Sequence, residues 1–335
     1  MSVKKGKGSL KVLVTGGTGF IGSHLVEALV AKALHVRCLM REKSDPKWLK
    51  GLDIERVAGD CCDPASLREA VKGVDCVFHL AGVTKAAREE TYFEVNGRGT
   101  DNLIHACLES NPRPPRFIYL SSQAAAGPSR NGCRKKESDT CEPVSPYGQS
   151  KRMGEELALA HSHELPLLIL RPSAVYGPRE KDVYSYFKMV SKRMNPCFIG
   201  RSPRLSLVYV NDVVQALLLA LQADNPKGDL FFVSDGHDYR LQEIGDTFAR
   251  VMGVSTVRIP IPEWGLHCAA TFSEIFSRFS KKPPLISKGK VEEIIQKDWV
   301  CDITRAKERL CFEPRFPLEQ GAVLTVDWYR KEKWL

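Results

Sequence analysis

Apolar positions along the first half of the chain follow two alternating rhythms. Short, nearly continuous apolar runs occupy residues 12–14, 36–40, 54–57, 76–80 and 117–120. Runs of that length fit strands buried on both faces. Between them, residues 22–33, 65–71 and 92–110 carry apolar side chains at helical spacing. The alternation predicts an α/β fold built on a doubly wound parallel sheet. Asn111-Pro112-Arg113-Pro114-Pro115 ends the third helix. Polar residues 128–146 form a long loop before a helix that begins at Tyr147. The chain returns to the sheet at 167–170 and becomes less regular beyond Arg171-Pro172. In 263–279, positions 265, 269, 272, 276 and 279 are helically spaced among Trp264, Leu266, Phe272, Ile275, Phe276 and Phe279. This reads as a core-facing or pocket-lining helix. A membrane-surface helix, helped by Lys281 and Lys282, is the alternative.

The first strand runs into Val14-Thr15-Gly16-Gly17-Thr18-Gly19-Phe20-Ile21-Gly22, and a helical pattern follows. Gly16 permits a tight turn, Gly19 lets the backbone approach a pyrophosphate, and Gly22 lets the helix pack on the strand. Phosphates would meet the free amides and positive end of the helix. The candidate dinucleotide contacts here are Gly16, Thr18, Gly19, Phe20, Ile21 and Gly22. A purely structural strand-to-helix turn is the competing reading.

Tyr147 and Lys151 stand four residues apart and share a helix face. Phenol and ammonium can therefore point into one pocket. A nearby cation lowers a tyrosine pKa from its usual value of about 10, which makes Tyr147 a candidate acid/base. Alone, the pair also fits a solvated helix face; its place downstream of the glycine turn favours chemistry.

Composition narrows the classes. Hydrophobic content of 43% and charged content of 27% are those of an ordinary soluble globular chain. No apolar stretch reaches transmembrane length, and residues 1–9 lack an apolar signal core. A cytoplasmic protein with a short flexible tail and no stable membrane insertion is expected. The net charge of +9 is scattered. Its clusters, Lys4-Lys5, Arg134-Lys135-Lys136 and Lys281-Lys282, are not interleaved with aromatics, which argues against nucleic acid. Cys38, Cys76 and Cys107 lie in predicted elements and read as small buried hydrophobes. No C-x-x-C pair occurs, so no metal site is expected. A Cys133–Cys141 disulfide is conceivable, but a reducing compartment argues against it.

The glycine turn and the Tyr-x-x-x-Lys pair together resemble the extended short-chain dehydrogenase/reductases, the group that includes NAD-dependent epimerase/dehydratases. The resemblance spans nearly the whole chain. It includes Gly59-Asp60, His79-Leu80-Ala81-Gly82, Val95-Asn96-Gly97, Leu120-Ser121-Ser122, Arg171-Pro172-Ser173-Ala174-Val175-Tyr176-Gly177-Pro178 and Tyr209-Val210-Asn211-Asp212-Val213. The C-terminal Asp302-Ile303-Thr304-Arg305-Ala306-Lys307 and Trp328-Tyr329 also fit. It implies a Rossmann-type dinucleotide-binding domain over 1–172, with 208–235 returning to it, and a smaller substrate-binding lobe made mainly of 173–335. It implies Ser122, Tyr147 and Lys151 as catalytic residues, with Ser121 the competing serine. Ser122 would bond the substrate oxygen, Tyr147 would exchange its proton, and Lys151 would hold the nicotinamide ribose. Asp60 resembles the family's adenine-contacting acid, and Cys61, Leu80, Ala81, Gly82, Asn96, Pro172, Ser173 and Val175 join the expected cofactor path. Two helices near 92–110 and 147–162 imply a homodimer.

In this fold an acid after the second strand holds the adenosine ribose. Here Arg41 stands in its place and Glu42 comes one position late. A guanidinium suits a 2′-phosphate, so NADP(H) is favoured over NAD(H); stacking on the adenine is the other role open to Arg41. Arg37 lies within the strand, where the alternation of the pleat lets it face elsewhere. The arginines with which nucleotide-sugar relatives clamp a pyrophosphate are not in register: Leu205 stands at one position with Arg204 beside it, and Glu292-Glu293-Ile294-Ile295 at the other, with Lys288 and Lys290 close by. With the apolar 263–279 segment and the following Lys-Lys-Pro-Pro-Leu, the chain looks more like the 3-beta-hydroxysteroid dehydrogenase and ketone-reductase branch. The expected activity is hydride transfer between nicotinamide and a hydroxyl or carbonyl carbon of a small hydrophobic substrate. A nucleotide-sugar epimerase with tightly bound NAD is the second reading. Gln123 and Ala124 after Ser122 make a dehydratase less fitting, and a non-catalytic NADP(H) sensor is the remote alternative.

Overall fold

The computed structural model describes residues 9–280, 284 and 286–335. The Lys4-Lys5 and Lys281-Lys282 pairs and nearly all of the N-terminal tail lie outside them. Each apolar run of the first half forms a parallel strand: β1 (Lys11–Thr15), β2 (His35–Met40), β3 (Glu55–Ala58), β4 (Cys76–His79), β5 (Arg116–Leu120) and β6 (Leu167–Pro172). Four short strands follow, β7 (Ala174–Tyr176), β8 (Met194–Phe198), β9 (Arg204–Leu205) and β10 (Leu207–Tyr209). The chain then returns to the main sheet as β11 (Lys227–Val233). The order is β11-β6-β5-β4-β1-β2-β3, every pairing parallel. Helices cover both faces, so β4 and β6 are buried along their whole length.

The strand order reverses between β1 and β4. Connections leaving these two strands diverge, and a crevice opens outside their carboxyl ends. That crevice receives the glycine turn, the loop after β4 and the N-terminus of the Pro146–Ala160 helix. The expected single helix over 92–110 is a rod that widens at Phe93–Arg98 before the regular Gly99–Ser110 turn pattern. The wide turn buries Asn96 and Gly97 against the Pro146–Ala160 helix, where Gly97 lies close to Met153.

The remaining strands are β12 (Tyr239–Arg240), β13 (Val257–Ile261) and β14 (Asp298–Trp299). They form small sheets: β7 with β10, β8 with β13, and β9 between β12 and β14. Aromatic packing closes this part, with Phe187 and Phe248 stacked at 3.8 Å between ring centroids. The 263–279 pattern is a helix, Glu263–Ser280. Among its described side chains Ala270 and Ser277 are buried and Leu266 is half-buried, whereas Trp264, Phe272 and Ile275 are exposed. Small residues let this helix pack closely, and the bulky stripe is left outside. All eleven cysteines are free, Cys133 and Cys141 included.

One buried ion pair locks the Pro146–Ala160 helix to the sheet. Arg171 of β6 donates from Nε and a terminal nitrogen to the two oxygens of Glu155, at 2.8 and 2.6 Å. Both side chains are almost wholly inaccessible. Glu155→Leu leaves the guanidinium buried and unpaired. It is expected to lower the unfolding free energy by about 3–5 kcal/mol in urea denaturation. A loss below about 1 kcal/mol, the range of solvated pairs, would show that water reaches the site.

Candidate active site

The glycine turn has no room for side chains. Gly16 has a left-handed backbone, φ +72°, and a Cβ there would sit 2.7 Å from the Ala81 amide nitrogen. A Cβ on Gly22 would lie 2.1 Å from the Gly16 carbonyl oxygen. The helix starts at Phe20, and no side chain caps it at Gly19. The first-turn amides therefore remain for a ligand. This geometry fits the pyrophosphate of a dinucleotide.

The facing wall is the loop after β4, held by a hydrogen-bond chain. The Ala81 amide donates to Thr15 Oγ1 at 3.1 Å, and Thr15 bonds His79 Nδ1 at 2.8 Å. His79 Nε2 bonds Thr100, which donates to the Asn96 carbonyl at 2.7 Å. Burial pushes the His79 pKa down to about 3, so the imidazole is neutral. The Asn96 amide accepts from Val83 N and donates to Val83 O and Ser150 Oγ. Asn96, expected on the cofactor path, thus has its amide spent on pinning the loop and does not line the cavity.

Between these walls lies a cavity of about 810 Å³. Of the expected residues it brings together Phe20, Ile21, Leu80, Gly82, Ser122, Tyr147, Lys151, Pro172, Ser173 and Val175. Ser121 also lines it, and the buried hydroxyls of Ser121 and Ser173 have no hydrogen-bond partner. Two orphaned hydroxyls on one wall fit a polar ligand. Gly16, Thr18, Gly19, Gly22 and Ala81 form the turn and loop behind that wall. Arg41, Asp60 and Cys61 lie outside the cavity, after β2 and β3. Arg41 is exposed and lies near Cys61 and Cys62, whose thiols burial pushes up against its weaker opposing pull. Among the described residues its guanidinium has no hydrogen bond or salt bridge. Arg37 is structural: it caps the Pro64–Val71 helix through the carbonyls of Glu69, Ala70 and Lys72 and pairs with Glu55.

Ser145 caps the Pro146–Ala160 helix by accepting from the Gly148 amide at 3.0 Å, with Pro146 in the first turn. One turn then separates Tyr147 from Lys151. Ser122 stands beside the Tyr147 phenol, close enough to favour its ionised form slightly. The expected lowering of the Tyr147 pKa is not what the structure has. Desolvation at the cavity wall pushes the phenol up to about 12. Lys151 donates to the Leu120 carbonyl at 2.8 Å and lies over the Tyr119 ring, and burial pushes its pKa down to about 7. In this low-dielectric wall both groups favour their neutral forms.

Sequence reasoning missed the polar far end. Glu293 accepts from the capping hydroxyl of Ser145 at 2.5 Å and from Lys290 at 2.9 Å. This pair comes from the Lys288–Ile294 helix and faces Tyr147. Tyr92 packs edge-on against Tyr147 and accepts from the Ala86 amide. Lys85 pairs with Asp182. Only the Ser-Pro step at 145–146, a familiar helix start, was a signal in the sequence. Arg204 does not line the cavity; it pairs with Asp298 at 3.0 Å and donates to the Gly132 carbonyl.

Comparison with known proteins places this geometry. Residues 12–233 match the model of the "NAD dependent epimerase/dehydratase family". The chain is 30% identical to a ceramide reductase of Caulobacter vibrioides, over 97% of this chain and 96% of that protein. It is also 30% identical to a UDP-glucose 4-epimerase of Vibrio cholerae, over 92% of each. The crystal structure of the Thermotoga maritima UDP-glucose 4-epimerase with UDP-glucose superposes with a TM-score of 0.79 at 25% identity, covering 97% of this chain and 100% of that one. The glycine turn, the seven-stranded parallel sheet and these matches agree: the chain is an extended short-chain dehydrogenase/reductase and belongs to the NAD-dependent epimerase/dehydratase family.

Proposed function

We propose that this enzyme moves a hydride between NADP(H) and a hydroxyl or carbonyl carbon of a small, uncharged, hydrophobic substrate. The observation that carries this reading is the sign of the charge at the substrate end of the cavity. Six carboxylates line it: Glu89, Glu90, Glu180, Asp182, Glu274 and Glu293. Besides Lys151 the cavity cations are Lys85, Arg88 and Lys290, and Lys85 and Lys290 are already paired with Asp182 and Glu293. A pyrophosphate would bring negative charge to an acidic wall, where like charges repel strongly at low dielectric. The likeness to a ceramide reductase supports the same reading. The equal identity to a UDP-glucose 4-epimerase favours the nucleotide-sugar alternative, which makes the contest one of charge.

When bound, the nicotinamide supplies the hydride. The chain supplies position and a proton. Ser122 and Tyr147, side by side on the cavity wall, would present two hydroxyls to one substrate oxygen. A phenol pushed up to about 12 stays protonated at neutral pH, so Tyr147 is set to donate in the direction of carbonyl reduction. Lys151, four residues on, would hold the cofactor ribose through its ε-amino group. Arg41 offers an unpaired guanidinium fork to a 2′-phosphate.

The charge argument is tested by the melting point of the NADPH-saturated protein with and without millimolar UDP, GDP or dTDP. No shift is expected; a clear rise with one nucleotide would restore the nucleotide-sugar reading. Tyr147→Phe is expected to lower kcat for NADPH-dependent ketone reduction about 10²–10⁴-fold while NADPH binding stays within a few-fold of about unity. Turnover that survives would remove Tyr147 as the proton donor. Arg41→Ala is expected to weaken NADPH about 10- to 100-fold, the size of a lost charge-assisted hydrogen bond, and to leave NADH unchanged. Equal losses for both cofactors, measured by fluorescence titration, would assign Arg41 to the adenine instead.

A further inference from the structure

We infer that the Glu263–Ser280 helix is a docking surface for a lipid bilayer with anionic headgroups, and that it seats the mouth of the active-site cavity against that bilayer. Among the described residues nine large apolar side chains are exposed, and six of them fall between 199 and 275. Three lie on this helix: Trp264, Phe272 and Ile275, at 71%, 74% and 48% exposure. At about 100° per residue they fall within about 80° of one another around the axis. Ala270 and Ser277, the buried positions, lie on the opposite side. The helix thus presents its apolar stripe to the outside and its small and polar residues to the protein. Val257 and Ile259 of β13, exposed at 67% and 37%, precede it directly in the chain.

What fits such a stripe follows from its size, its residues and its charge. Trp264, Phe272 and Ile275 together expose on the order of 400 Å², about half of the roughly 800 Å² per partner that a stable protein interface buries. A second copy of the chain is therefore a poor match, whereas an interfacial helix needs only a narrow apolar face one side chain deep. Tryptophan is the residue best suited to the headgroup boundary. Beyond Ile275 the sequence to residue 282 carries Arg278, Lys281 and Lys282 and no acid. Cations beside an apolar helix face draw it to anionic headgroups. The same helix contributes Glu274 and Ser277 to the cavity wall. The docking face and the site are two sides of one helix, so a membrane-dissolved substrate would meet the cavity without crossing water. The docking rests on the exposed face and does not require the proposed reaction.

The test is co-sedimentation of the full chain with vesicles of phosphatidylcholine alone and with vesicles that also contain an equal share of phosphatidylglycerol. The wild type is expected to pellet with the mixed vesicles and weakly with phosphatidylcholine. The triple variant Trp264→Ser, Phe272→Ser, Ile275→Ser is expected to bind the mixed vesicles about tenfold or more weakly, about 1.4 kcal/mol or more. Its melting point and its NADPH binding should match the wild type, because these side chains support neither core nor site. Wild-type protein that stays in the supernatant overturns the proposal, as does a variant that binds equally well. A mass in solution that falls from dimer to monomer in the variant, without vesicle binding by the wild type, assigns the face to a second copy. Ketone reduction in the absence of vesicles reports on the proposed reaction separately.

Discussion

Glu155 and Arg171 meet where water does not, and the placement of Tyr147 and Lys151 follows from that meeting. Leaving a carboxylate and a guanidinium in the interior is costly unless they satisfy each other. Here two near-parallel hydrogen bonds do so, and the Cys141 sulfur takes a further contact from the guanidinium. An apolar pair of the same volume would also glue a helix to a sheet, but it would tolerate sliding. The fork of Arg171 fixes rotation and height together, because both oxygens must be met at once. Glu155 lies one turn beyond Lys151 and two beyond Tyr147. Any slip of the helix along β6 would carry both away from Ser122.

The opposite side of the crevice is held by a different device. Thr100 donates to the Asn96 carbonyl, so it can only accept from His79, which places the imidazole proton on Nε2. Nδ1 is then the acceptor for Thr15, and Thr15 in turn accepts from Ala81. Every member has one partner on each side, and the histidine carries no charge. The chain ties the ends of β1 and β4 and the loop of Leu80 to Gly82 into one unit. A protonated His79 would have to reverse its Thr15 bond, and the depth of its burial prevents that. The site is thus clamped by an ion pair on the helix side and by a neutral relay on the strand side. This same dryness keeps Lys151 near neutrality and the Tyr147 phenol protonated.

The strands of the sheet were legible because a strand buried on both faces is mostly apolar, and β4 and β6 each carry a single polar side chain, His79 and Arg171. The glycine turn was legible because a tight turn and a close helix approach exclude any Cβ. Other features depend on distance in space rather than spacing in sequence. Glu293 reaches Ser145 across nearly half the chain, and nothing local in either segment announces it. The wide turn at Phe93–Arg98 keeps helical periodicity on both sides, so the pattern runs through it. The ionisation of Tyr147 was misjudged for a related reason. Spacing shows that Lys151 shares its face, but not that the ammonium turns to the Leu120 carbonyl or that the wall is dry. Periodicity likewise finds the stripe of the Glu263–Ser280 helix without saying which way it points.

The direction of that stripe bears on the sign of the charge in the cavity. A site meant for a dissolved anion gains from cations at its mouth, which concentrate the ligand and then neutralise it. Here the cations inside the cavity are largely spent on their own carboxylates, and Arg204, the guanidinium nearest the expected clamp, is spent on Asp298. Among the described residues the Arg41 guanidinium, after β2, has no hydrogen bond or salt bridge. Under the proposed reaction, free positive charge is offered to the cofactor and withheld from the substrate. An uncharged, hydrophobic substrate gains nothing from steering and is best supplied by contact with an apolar phase. An apolar helix face turned outward beside an acidic cavity satisfies that requirement, whereas the same face turned inward would have added only to a core that Phe187, Phe248 and Tyr329 already fill.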